Sequence, residues 1–244
     1  MNKKIYRIIS YNLHSGVGMD QRIDYDRMAE MLRSQKPDLI GFQEVAVNYP
    51  RSEKVEDPLV CMGKALNMSS VFGETCKPVI DGKQYRYGIG IMGSLPMEKV
   101  DQIPLPCMKD AEPRTALVVR VNTDDDRNFY LICTHLSHEQ TGECEKIRQE
   151  QLRTISDRIH EKNYTPAVLV GDFNALPDTP CIRDLQKEWQ VTDLQEPTFP
   201  ADVPEIKIDY IAFYPDNAFT LKGYHVLAET VISDHRPIIA ELEF

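Results

Sequence analysis

Five residues carry hard oxygen donors at places where short apolar runs stop. They are Glu44 in LIGFQE, Asp172 and Asn174 in AVLVGDFN, Asp209 in IKIDYIAF and Asp234 in SDHRP. Donors of this kind suit Mg2+, which takes one or two carboxylates, keeps several waters and leaves room for phosphate oxygens. Two imidazoles, His135 in LICTH and His235 in SDHRP, are groups that carry a proton near neutral pH. Asp209 could orient an imidazole and stabilise its protonated form. Arg114, in AEPRTALVV, could fork onto a phosphate. Taken singly, each of these is ordinary: Asp and Asn form turns wherever strands end, and a histidine before leucine is more often a core residue. Turn chemistry does not explain why so many separate strand-like segments finish in an acid, an amide or an imidazole.

The elements that must hold these groups form a repeating pattern. The first half reads as a strand from Ile5 to Leu13, a helix from about Tyr25 to Gln35, and a strand from Leu39 to Val45. Asp24 is the expected N-cap, and Pro37 ends the helix. The second half repeats this with a strand from Phe129 to Leu136, a helix from about Glu143 to Glu161, and a strand from Ala167 to Val170. Asn12 and Glu44 end the first pair of strands, and His135 and Asp172 the second. Parallel strands joined by crossover helices place their C-terminal ends on one edge of a sheet. Two such sheets face to face would bring all four ends to one rim. Further strands are expected at Val71–Val79, Tyr87–Met92, Thr115–Val121, Ile208–Phe213, Phe219–Val226 and Ile238–Leu242, with a short helix after Asp178 carrying Ile182, Leu185 and Trp189 on one side. The pattern predicts a layered α/β/β/α sandwich. In AVLVGDFN, period two would put Asp172 and Asn174 on the same side.

The bulk properties limit the function classes. The chain has 244 residues, 42% hydrophobic and 27% charged, with a formal net charge of −10. That length suits one domain spanning residues 1–244, since no Ser/Gly-rich linker divides it. The acidity argues against a domain that grips nucleic acid through a basic face, while a cluster of metal-binding carboxylates would contribute to it. Asp124-Asp125-Asp126 reads as a hairpin tip. The six cysteines show no metal-ligand spacing and read as reduced thiols, several of them in the core. No stretch reaches the ~20 apolar residues of a membrane span. The N-terminal MNKKIYRIISYN lacks the apolar core of a leader, so the expected location is cytoplasmic, or exported if the chain is a trimmed form.

Six short motifs occur in order: SYN (Ser10–Asn12), FQEV (Phe42–Val45), THLS (Thr134–Ser137), GDFN (Gly171–Asn174), IDYI (Ile208–Ile211) and SDHRP (Ser233–Pro237). In these the chain resembles the endonuclease/exonuclease/phosphatase superfamily, DNase I-like metal-dependent phosphoesterases, and among them the short bacterial metal-dependent hydrolases. The resemblance implies a four-layered α/β/β/α sandwich and a Mg2+-dependent hydrolase acting on phosphoester bonds, with Mn2+ or Ca2+ as alternatives. It implies Glu44 as the main metal ligand, with Asn12 beside it on metal or phosphate and Asp234 nearby. Asp172 and Asn174 would position the attacking water and a phosphate oxygen. His235 and Asp209 would form a charged dyad, and His135 would face His235 across the scissile phosphate. Arg114 would bind phosphate.

Two positions depart from the family pattern. His14 stands where several nucleases of the superfamily carry Asp or Arg, and it could bind substrate or only line the wall of the site. Ile89, in YGIGIMGSLP, stands where the family often has Asn. The resemblance says less about substrate. A small phosphodiester or phosphomonoester acted on by a monomer is the expectation, with DNA or RNA as an alternative and a catalytically inactive binding module as another. The full polar set argues against the last.

Overall fold

The computed structural model describes residues 4–52 and 57–244; the first three residues of the segment read above for a leader lie outside them. The chain builds one sheet, crosses to build a second, and returns to finish the first. Strands β1 (Ile5–Asn12), β2 (Leu39–Val47), β3 (Ser69–Cys76) and β6 (Arg86–Gly93) begin the first sheet, with a small hairpin of β4 (Val79–Ile80) and β5 (Lys83–Gln84) between the last two. The second sheet takes β7 (Met97–Leu105), β8 (Arg114–Asn122), β9 (Asn128–His135), β10 (Ala167–Asp172), β11 (Gln190–Val191) and β12 (Asp209–Tyr214). Strands β13 (Thr220–Val226) and β14 (Ile238–Glu243) then return. The orders are β13-β14-β1-β2-β6-β3 and β11-β12-β10-β9-β8-β7.

Period-two alternation sorts the apolar residues into three layers. Ile8 of β1 and Val168 and Val170 of β10 face inward, into the core between the sheets. Ile9 and Tyr11 face outward, under helices α1 (Tyr25–Ser34) and α2 (Pro58–Leu66), against Met28, Leu32, Leu59 and Met62. Leu169 faces outward on the second sheet, under α3 (Gly142–Lys162) and α4 (Pro180–Leu185), against Leu152, Ile155 and Ile182. The four layers are those expected from the sequence. Asp24 caps α1 by accepting from the Arg27 N–H at 3.1 Å. Thr141 caps α3 by accepting from the Cys144 N–H at 3.1 Å. Trp189, expected on the short helix, lies beyond its end.

The expected echo is present. β1 and β2 are parallel, as are β9 and β10. In the second pair Asp172 stands directly beside His135. In the first pair the partner of Asn12 is Gln43, not Glu44. Glu44 does not end β2, which continues to Val47. Between Phe42 and Val45 the strand gains one residue against β6, and Glu44 sits there at φ 53°. This is a β-bulge, a device that re-aims a side chain. Ile89, opposite the bulge, is fully within the inter-sheet core. The hairpin tip at Asp124–Asp126 joins β8 to β9 as expected, and the cysteines are free, with Cys133, Cys144 and Cys181 buried. The two-residue strands β5 and β11 had no expectation, nor did α2 or β7, whose sequence MEKVDQIPL has no clean alternation.

Candidate functional site

The strand ends converge on one oxygen. Oδ2 of Asp172, at the end of β10, accepts a hydrogen bond from Asn12 Nδ2 at 3.0 Å. The same oxygen lies 3.5 Å from Nε2 of His135 and 3.6 Å from Nε2 of His235. Asn12 also donates to Glu44 Oε1 at 3.2 Å, so one buried amide links two carboxylates from different sheets. Gly171 permits this approach: a Cβ there would lie 2.3 Å from the Thr134 carbonyl oxygen of β9.

The expectation that Asn174 continues the strand does not hold. β10 stops at Asp172, and Asn174 has φ 50°. Its backbone N–H donates to Asp172 Oδ1 at 2.9 Å, an Asx-type turn. Both side chains still face the cavity, because Phe173 and Ala175 are anchored in the core under α3 and α4. The Asn174 side-chain nitrogen lies 3.1 Å from His135 Nε2 and donates to the Leu136 carbonyl at 3.2 Å.

His235 is the charged imidazole. Its Nδ1 donates to Asp209 Oδ2 at 2.9 Å. Burial is the largest single influence and opposes its charge, but the Asp209 and Asp172 carboxylates together outweigh it and push the pKa up to about 10. His135 goes the other way. Burial first, then the Arg114 guanidinium and His235, hold it well below the usual imidazole range. Of the two rings, the surroundings favour the charged form of His235 and the neutral form of His135. Arg114 Nη1 lies 3.3 Å from His135 Nδ1. A guanidinium can only donate, as can the Asn174 amide nitrogen beside Nε2, so both ring nitrogens of His135 face donors and the ring is held in its neutral, accepting form. Asp172 itself is raised to about 7 by burial, against the pull of His235.

Other supporting residues carry no motif. Thr198 donates to Asp209 Oδ2 at 2.6 Å. Ser233 donates to the Asn12 carbonyl at 2.8 Å, tying SDHRP to the end of β1. Glu112 accepts from Arg114, which also contacts His138 at 3.3 Å. Burial raises the Glu112 carboxyl, opposed by the arginine. Glu112 stands two residues before Arg114, a pairing that could have been suspected. Thr198, in QEPTFP, gives no sequence signal.

A cavity of about 560 Å3 opens over these groups. Glu44, Arg114, His135, Asp172, Asn174 and His235 line it directly. Asn12 and Asp209 stand behind that lining, hydrogen-bonded to it. His14 and Asp234 are placed to one side as a pair, 3.7 Å apart, outside the lining. His14 Nδ1 contacts the Val17 carbonyl at 3.0 Å.

The donor set fits a hard divalent cation in its chemistry. Asp172, Asp209 and His235 offer ligand atoms within 4.8 Å of one another, although a protonated His235 has no lone pair for a metal, which leaves the two carboxylates. Asp209 Oδ1 is buried without a hydrogen-bond partner, and such an atom is costly unless something satisfies it. The Glu44–Asn12–Asp172 cluster is a second place with hard oxygen donors, open to the cavity through Glu44 and Asp172.

The sequence profile of the endonuclease/exonuclease/phosphatase family matches residues 9–235. The chain is 29% identical over 116 residues to a phospholipase C of Staphylococcus aureus, a match covering 44% of this chain and 35% of that protein. Among solved structures, an endonuclease/exonuclease/phosphatase of Beutenbergia cavernae superposes with a TM-score of 0.80 at 22% identity, covering 99% of this chain and 72% of that one. A mannosyl-6-phosphatase of Bacteroides thetaiotaomicron gives a TM-score of 0.75 at 21% identity, covering 98% and 100%. At these identities the structures share the fold.

Proposed function

The chain belongs to the endonuclease/exonuclease/phosphatase family, and from that premise we propose that it is a metal-dependent phosphoesterase. It cleaves a small phosphodiester or phosphomonoester by in-line attack of water. The observation that supports this best is the convergence of two imidazoles and one amide on Asp172 Oδ2.

Asp172, with a pKa near neutrality, accepts a hydrogen bond from the attacking water and orients its lone pair. His235 stays protonated and presents Nε2–H to a phosphoryl oxygen, offsetting the charge that builds in the transition state. Asp209 fixes its Nδ1–H, and Thr198 fixes Asp209. Neutral His135 and the Asn174 amide hold neighbouring oxygens, and Arg114 supplies a fixed positive charge at the cavity wall. Glu44, with Asn12, would hold a divalent cation, Mg2+ being our reading; bound, it polarises the phosphoryl group and stabilises charge on oxygen. Asp234 and His14 sit beside this cluster and would contact the outer solvent shell or the substrate's edge.

Hydrolysis of p-nitrophenyl phosphodiesters and monoesters with and without Mg2+ or Mn2+ tests the reading. Glu44→Ala should keep the fold, weaken metal binding in calorimetry and lower kcat by ~100-fold or more. A folded Glu44→Ala protein with full metal-dependent turnover would remove Glu44 from the metal site. Plasmid DNA and RNA in the same assay test the nuclease alternative, which the acidic charge of −10 does not favour.

A further inference from the structure

The cavity has a second wall with different chemistry. Besides the charged groups it is lined by Leu176, Phe199, Ile206 and Ile208. Leu176 and Ile206 are 40% and 38% exposed, an exposure that large apolar side chains commonly have singly. Here they share one concave surface with a site built for an anion. The side chains of this wall offer no hydrogen-bond donor or acceptor.

The wall is also rigid. Phe199 and Ile206 pair as a β-bridge, with Phe199 N–H to the Ile206 carbonyl at 3.1 Å and Ile206 N–H to the Phe199 carbonyl at 2.9 Å. The loop they close is fastened to SDHRP: Ala201 N–H donates to the Asp234 carbonyl at 2.7 Å, and Arg236 Nε donates to the Ala201 carbonyl at 2.7 Å. The Phe199 ring packs on the His235 ring with centroids 4.9 Å apart. The segment that carries the charged imidazole therefore also positions the apolar wall.

We propose that this wall is a specificity site for an alkyl or aryl substituent of the phosphoester, so that the preferred substrate is a small amphiphilic phosphoester rather than a sugar phosphate. A hydroxylated ring placed against Leu176, Phe199, Ile206 and Ile208 would lose water from its hydroxyls and gain no partner. An apolar substituent loses only unfavourable hydration. The volume of about 560 Å3 is that of a pocket for one small organic molecule, so the occupant is a single soluble ester seated whole. The phosphate end meets Arg114 and His235, and this assignment rests on the proposed phosphoesterase reading.

Calorimetric titration with methylphosphonate and hexylphosphonate, in buffer with Mg2+, separates the wall from turnover. Burial of each methylene is worth roughly fourfold in affinity, so hexylphosphonate should bind at least ~30-fold more tightly than methylphosphonate. In a Leu176→Asn/Ile206→Asn double variant that ratio should fall below about fivefold, with thermal melting reporting its fold. Equal affinities in the wild type, an unchanged ratio in the double variant, or tighter binding of mannose 6-phosphate than of hexylphosphonate would each overturn the proposal. So would binding to phosphatidylcholine vesicles without affinity for hexylphosphonate, which would assign the apolar residues to a membrane surface. Methyl and hexyl p-nitrophenyl phosphates complete the test. If neither is hydrolysed while the affinity ratio holds, the phosphoesterase reading fails and the wall stands.

Discussion

Asp209→Asn is the sharpest test of the charge arrangement, because it changes one atom's charge at a buried contact. The wild-type His235 pKa of about 10, against an ordinary 6.5, corresponds to roughly 5 kcal/mol in favour of the imidazolium. Asp209 at 2.9 Å is the leading source of that preference, and Asp172 at 3.6 Å the next. With the Asp209 charge gone, burial opposes the imidazolium with Asp172 and, more weakly, Asp234 left against it. The alkaline limb of kcat/KM should then move down from near pH 10 by about 2 pH units or more, and kcat/KM at pH 9 should fall by roughly tenfold or more. In the wild type the acid limb should lie near pH 7, where Asp172 ionises. Because Asp172 and His235 interact directly, both limbs belong to the pair. Two-dimensional NMR of the imidazole ring gives the protonation state without turnover. An alkaline limb within about 0.3 pH units of wild type, with the ring still protonated at pH 8, would refute the dyad.

The same variant fixes a stability sign. The folded pKa of His235 is raised, so its contribution is fully present below pH 6.5 and is lost as pH rises through about 10. The melting temperature of wild type should exceed that of Asp209→Asn most at pH 6, and the gap should narrow at pH 10.5.

Two further substitutions test the scaffold. Arg114→Gln removes one of the influences that hold His135 low and leaves burial, so the ring's pKa should rise yet stay below the ordinary range in an NMR titration. It also strands Glu112 at the cavity wall, costing ~1–3 kcal/mol in denaturant unfolding. No movement of the His135 titration would break the assigned contact. Gly171→Ala places a Cβ 2.3 Å from the Thr134 carbonyl oxygen, so β9 and β10 must part. A loss of ~1–3 kcal/mol is expected, or several degrees in Tm at this chain length, with activity falling further because His135 and Asp172 separate; a variant that melts and turns over like wild type would contradict the packing.

The sequence shows the sandwich because its strands alternate and its helices carry caps, and both signals are local. The pairing of Asp209 with His235 was also readable, through the IDYI and SDHRP motifs and what the family resemblance implies for them. Thr198 and the apolar wall were not. Their roles depend on which neighbour the fold delivers, and Phe199 meets His235 only because Arg236 and Asp234 fasten the loop between Phe199 and Ile206. β7 hid because its residues are mostly half-exposed at a sheet edge, where alternation is not enforced.

The failures at Glu44 and Asn174 have a common physical origin. In a regular strand Glu44 would share the face of Phe42, which packs under α1 and α2. A carboxylate there would be buried without partners. The extra residue between Phe42 and Val45 returns Val45 to that same apolar layer and turns Glu44 aside to the cavity. Asn174 likewise leaves β10 so that Phe173 and Ala175 stay in the core while its N–H meets Asp172. Each residue sits in the left-handed region, at φ 53° and 50°, a conformation that costs a residue with a Cβ ~1–2 kcal/mol. Local rules break at sites where chemistry requires a direction the strand does not supply, and both breaks deliver a polar side chain to the same cavity.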